Sequence, residues 1–83
     1  RERVVREVEI RLAGPAVARD VMHRLAGVLD RHAGDRRVWF VVEVSGGRTL
    51  RVRAATARRI RPSELFVRDV ESVCGPGSVR LCQ

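Results

Sequence analysis

The chain contains no lysine and no tyrosine, and its aromatic side chains amount to two phenylalanines and one tryptophan. Small α+β modules that read single-stranded RNA stack bases on rings carried by the central strands, and so few rings argue against that mode. Cysteine is scarce as well. Cys74 and Cys82 are too few for the disulfide framework of a small secreted domain, and a reduced pair is expected, with Cys74 as a small core residue. The two histidines, His23 and His32, do not share the short helical spacing of paired metal ligands, and no Cys-x-x-Cys accompanies them. No metal site and no cofactor are expected. There is no run of about 18 apolar residues and no signal-peptide pattern, so no membrane partner is expected either.

What is present is one domain's worth of chain. Eighty-three residues, 45% hydrophobic, read as a single domain over 1–83, small enough to bury only about 60–65% of its unfolded surface. It begins at Arg1 and not Met, which reads as a processed chain or, the preferred expectation, a domain excised from a longer protein. All 17 basic residues are arginine, against 10 acidic ones, for a net charge of +7. A chain-wide arginine bias accompanied by Ala, Gly and Val is what GC-rich coding produces. The charge permits attraction to nucleic acid or to an acidic partner without choosing between them.

Periodicity supplies the elements. Val4, Val8, Ile10 and Leu12 alternate with Glu7, Glu9 and Arg11, the pattern of a half-buried strand. Gly14-Pro15 breaks it, and Pro15 suits a helix entry, where its missing N–H costs nothing. A helix is expected over Ala16 to His32, with Val17, Val21, Leu25, Val28 and Leu29 as its core stripe, His23 on the solvated side and Gly34 as a left-handed stop. Val38 to Val44 forms a second strand whose stretch through Val42 is apolar on both faces. Ser45-Gly46-Gly47 turns the chain into a third strand, with Leu50, Val52 and Ala54 inward and Arg51 and Arg53 outward. After a basic connector over 55–61, Ser63 caps a second helix with a core face of Leu65 or Phe66, Val70 and Val73. Gly75 stops it, and a last strand buries Val79 and Leu81.

The order β-α-β-β-α-β gives the expected fold class: α+β, a four-stranded sheet with two helices on one face, ferredoxin-like or split βαβ. In that arrangement strands one and three are central neighbours. Their uncovered faces would bring Glu7 and Glu9 to Arg51 and Arg53, an opposite-charge ladder.

No catalytic constellation emerges. The serines are explained as turn and cap residues, and the glycines as punctuation. No catalytic residue is assigned. Two binding readings remain. Phe40, Val42 and Val44 inward leave Trp39 and Val41 on the open face as a protein-binding anchor. Alternatively, Arg48, Arg51, Arg53, Arg58, Arg59 and Arg61 contact a nucleic-acid backbone without sequence specificity.

One family resemblance sharpens the choice. It is carried by Val8-Glu9-Ile10-Arg11-Leu12, by Leu29-Asp30-Arg31-His32-Ala33-Gly34-Asp35, by Val38, and by Arg51-Val52-Arg53. It continues through Ile60-Arg61-Pro62-Ser63-Glu64-Leu65 and Val70-Glu71-Ser72-Val73-Cys74-Gly75-Pro76-Gly77-Ser78-Val79-Arg80-Leu81. In these features the chain resembles the extreme C-terminal domain of the alpha subunit of bacterial DNA polymerase III, the replicative polymerase. The resemblance implies that the chain is the C-terminal segment of a longer protein, a noncatalytic tail of a cytoplasmic, DNA-synthesising nucleotidyltransferase. Such a tail docks the polymerase to the clamp-loader subunit tau, near DNA or the sliding clamp, and the metal-holding carboxylates lie upstream in the parent chain. The resemblance transfers no tau-binding motif. Trp39 and Val41 come from side-chain direction alone.

Overall fold

Alternation along the first strand predicts one buried and one charged face, and the computed structural model, which describes residues 4–14, 19–55 and 58–83, has both. Strand β1 (Glu7–Leu12) buries Val8, Ile10 and Leu12 and turns Glu7, Glu9 and Arg11 the other way. Helix α1 (Arg19–Arg31) follows, then β2 (Ala33–Glu43), β3 (Thr49–Arg53), α2 (Glu64–Cys74) and β4 (Val79–Cys82). The fold is α+β, with a four-stranded mixed sheet and two helices in the expected β-α-β-β-α-β order. The expected helix entry at Pro15 and Ala16 and the core position Val17 lie outside the described residues.

Strand order departs from expectation. The sheet runs β3-β2-β1-β4, so β2, not β3, is the central neighbour of β1. β1 and β2 are parallel, with Val8 beside Val38 and Leu12 beside Val42, while β3 and β4 flank them antiparallel at the two edges. The reason is visible in β2 itself. A stretch apolar on both faces is better placed inside the sheet, where side chains of two neighbouring strands crowd each face, than at a solvent-flanked edge. Here one face packs on the core, while Trp39 and Val41 on the other are half-buried by their neighbours.

The core lies between the helices and the inward face of the sheet. Leu25, Val28 and Leu29 of α1 and Phe66 and Val70 of α2 close over Val8, Ile10, Leu12 and Val38. Of the alternatives Leu65 and Phe66, Phe66 is the core residue, fully buried, while Leu65 is exposed. Ser63 caps α2 as expected, its Oγ accepting from the Phe66 N–H at 3.1 Å. Gly75, at φ 100°, ends the helix and donates its N–H to the Glu71 carbonyl at 2.8 Å. Gly46 and Gly47, both at positive φ, make the β2–β3 turn.

Gly34 serves a different purpose from the one expected. Its φ is not positive. α1 ends with the His32 N–H bonded to the Val28 and Leu29 carbonyls, and β2 starts at once. Gly34 instead admits a close approach of backbone. Its N–H donates to Arg59 O at 2.9 Å, and the Arg61 N–H donates to His32 O at 2.8 Å. A Cβ here would lie 2.6 Å from Arg61 N and from Ile60 C. Fully buried Ile60 bridges Ala33 and Arg36, which extends β2 backward beyond the expected start at Val38.

Some residues expected inside are not. Val4 precedes β1 and is exposed, and Leu81 on the edge strand β4 is 44% exposed. Leu50 and Val52 of β3 are 56% and 47% exposed. They pair with Val42 and Phe40 and so occupy the helix side of the sheet, but the described helices close over β1 and the middle of the sheet, not over this edge.

Candidate functional site

Cross-strand register assembles the open face. Glu7 and Glu9 of β1 stand beside Arg37 and Trp39 of β2, and Trp39 and Val41 stand beside Arg53 and Arg51 of β3. On the other flank Glu9 stands beside Arg80 of β4. Partners in register share a face, so these side chains form one surface opposite the helices.

Arg51 organises it. Its Nε donates to Glu9 Oε2 at 2.8 Å and its Nη2 to Glu7 Oε1 at 3.3 Å, so one guanidinium holds both carboxylates. To reach them it crosses β2, and its Cζ lies 3.9 Å from the centroid of the Trp39 ring. The indole is thus sandwiched between the sheet and a cation, a favourable stacking geometry. Arg53 Cζ is 5.9 Å from the same ring. Arg37 reaches Glu7 at 3.6 Å and Arg80 reaches Glu9 at 3.7 Å. Four guanidiniums therefore surround two carboxylates and one indole.

The expected ladder between Glu7, Glu9 and Arg51 is present, though it spans an intervening strand. Arg53 stacks and makes no ion pair among the described residues.

The electrostatics favour an ionised Glu7. The buried Trp39 Nε1–H makes no well-aligned hydrogen bond among the described residues. It is nonetheless the largest influence holding the Glu7 carboxyl below the ordinary glutamate range, joined by Arg51 and Arg37 and opposed by partial burial. The influence is that of an indole N–H dipole on the carboxylate without the alignment of a full hydrogen bond. Arg51 is pushed above the usual arginine range, first by its bond to Glu9 and then by Glu7. A carboxylate held this way does not store a proton near neutrality, so Glu7 is not suited to general acid catalysis.

Trp39 and Val41 both lie on the open face at intermediate exposure. The six arginines assigned to backbone contact do not form one stripe. Arg51 and Arg53 lie on the open face, whereas Arg58 folds back onto α1, donating to Ala26 O at 3.2 Å and to Asp30. Arg48, Arg59 and Arg61 are exposed around the loops.

Sequence reasoning missed Arg37 and Arg80 as the outer partners of the two glutamates; their odd and even parity in β2 and β4 carried that signal once register was known. It also missed His32, whose Nε2 is 2.7 Å from Asp69 Oδ2 and whose ring meets Phe66 edge-on at 5.7 Å. That pair ties the end of α1 to α2 and holds Asp69 below the ordinary aspartate range, chiefly through the His32 hydrogen bond. Cys74 and Cys82 are both free thiols, and burial raises each above the usual cysteine range. No helix among the described residues is long and apolar enough to cross a membrane. No protein-family model, curated protein or solved structure matches this chain.

Proposed function

We propose that this domain is a noncatalytic docking module, the C-terminal tail of a bacterial replicative DNA polymerase that binds the clamp-loader subunit tau in the cytoplasm. The supporting observation is the open sheet face. Trp39 and Val41 lie there on a surface cross-braced by Arg51, Glu7 and Glu9, with no described helix over it. A braced aromatic loses little side-chain entropy on binding, which is what an interaction anchor needs. The sequence resemblance to the polymerase tail supplies the partner.

The second reading, sequence-independent contact with DNA, is favoured by Arg48, Arg53, Arg59 and Arg61, exposed and without carboxylate partners among the described residues. Salt separates the two. Tau binding should tolerate added salt and weaken by roughly tenfold or more in Trp39→Ala, the loss expected of a hot-spot anchor. DNA affinity that falls steeply with salt, with no measurable tau binding, favours the second reading. Tau affinity unchanged in Trp39→Ala removes the open face as the docking surface.

A further inference from the structure

We propose that the free edge of β3 is a strand-addition site for an extended protein segment that alternates acidic and apolar residues. The inference deepens the docking reading by naming the chemistry of the partner segment, and it does not depend on the partner being tau.

The backbone comes first. Two hydrogen bonds bracket the β2–β3 ladder: the Val44 N–H donates to Arg48 O at 2.8 Å, and the Ala54 N–H donates to Val38 O at 3.0 Å. Bonded and non-bonded pairs alternate in an antiparallel ladder. Leu50 and Val52 therefore spend their N–H and C=O groups on Val42 and Phe40, and Thr49, Arg51 and Arg53 turn theirs away from the sheet. Among the described residues nothing pairs with that edge. It is a row of unmet donors and acceptors, the template an added strand completes.

The side chains then specify what is added. On the helix side the edge presents Leu50 and Val52, two aliphatic residues about half exposed. Phe40, the cross-strand partner of Val52, helps floor a cleft lined also by Met22, Leu25 and Ala54. An incoming strand places every second side chain beside these residues, so those positions must be apolar. On the open side the same strand meets Thr49, Arg51 and Arg53. Arg51 is already held by Glu7 and Glu9, whereas Arg53 has no carboxylate partner among the described residues, and the complementary side chain beside it is a carboxylate. A second copy of this chain is disfavoured by the same geometry, because antiparallel β3–β3 pairing sets arginine against arginine. The other edge is a poorer template: β4 has four residues and a single exposed aliphatic, Leu81.

The test uses the 83-residue chain and two short end-blocked peptides, one alternating glutamate with valine and one alternating lysine with valine. Binding is read from backbone amide shifts. The expected result is that the glutamate peptide binds, perturbs the Thr49, Arg51 and Arg53 amides most, and loses at most a few-fold in affinity with added salt, while the lysine peptide binds at least ~10-fold more weakly at low salt. Arg53→Glu, at an exposed position without an ion pair, should narrow or reverse that preference without unfolding the domain. Leu50→Ser should weaken the glutamate peptide by a few-fold. Equal binding of both peptides, shifts centred away from β3, or no binding of the glutamate peptide at low salt overturns the proposal. Tau binding without peptide binding sinks the edge and spares the docking reading. Peptide binding at β3 without tau binding does the reverse.

Discussion

Arg51 shows how one side chain fixes the character of a whole face. A lysine at this position keeps the charge but loses the planar fork that reaches Glu7 and Glu9 and the flat cation that covers Trp39. Because Trp39 is the single tryptophan of the chain, its fluorescence reports the cover directly. Arg51→Ala should shift the emission to longer wavelength as water reaches the ring, and Arg51→Lys should shift it part of the way. An unchanged spectrum would mean that the guanidinium does not rest on the indole. The carboxylates give a second handle. Glu7 and Asp69 both have their pKa displaced downward in the folded state. The unfolded chain therefore binds more protons in acid, and their stabilising contribution is complete above the ordinary carboxylate pKa of about 4 and disappears as pH falls through the lowered folded values. Urea unfolding followed from neutral pH downward should show this loss, and Glu7→Gln should flatten it. Trp39→Phe, which removes the N–H, should raise the Glu7 pKa measured by NMR.

Among the elements, α2 and residues 59–61 before it are held by specific contacts that single substitutions can test. Ser63→Ala removes the acceptor for the Phe66 N–H and should cost about 1 kcal/mol in chemical denaturation. Gly34→Ala forces a Cβ to within 2.6 Å of the Ile60 and Arg61 backbone, and the neighbouring chain has no side-chain end that swings aside. A loss of roughly 1–3 kcal/mol is expected. A loss near zero would mean that residues 59–61 do not pack against the start of β2. Much of this was legible in the chain. Alternation in Glu7–Leu12 read the buried and charged faces correctly, and Ser63, Gly75 and the Ser45–Gly47 turn announced their roles by residue type. Strand order was harder, because alternation tells which way a side chain points and not which strand lies beside it. The two-sided apolar stretch of β2 was the available signal for a central strand. The identity of the residue at position 34 was legible and its purpose was not, since a glycine kept for close approach looks the same as one kept for positive φ.

At the scale of the molecule, one side of the sheet holds the helices and the core, and the other carries a lattice of four arginines and two glutamates around Trp39. Charge is thus unevenly committed. Arg51 and Arg58 are engaged by carboxylates, and Arg53, Arg59 and Arg61 face solvent without such a partner among the described residues. The pairing His32–Asp69, 37 residues apart, became visible only once α1 and α2 lay side by side. The docking function we propose draws on this layout, in which the braced face and a β3 edge left unpaired among the described residues meet along the Arg51–Arg53 row. The most direct measurement is amide hydrogen exchange of the domain with and without the tau subunit. The account predicts that the Thr49, Arg51 and Arg53 amides exchange freely in the isolated domain and become strongly protected on binding. Bound tau with those three amides still exchanging freely would contradict it.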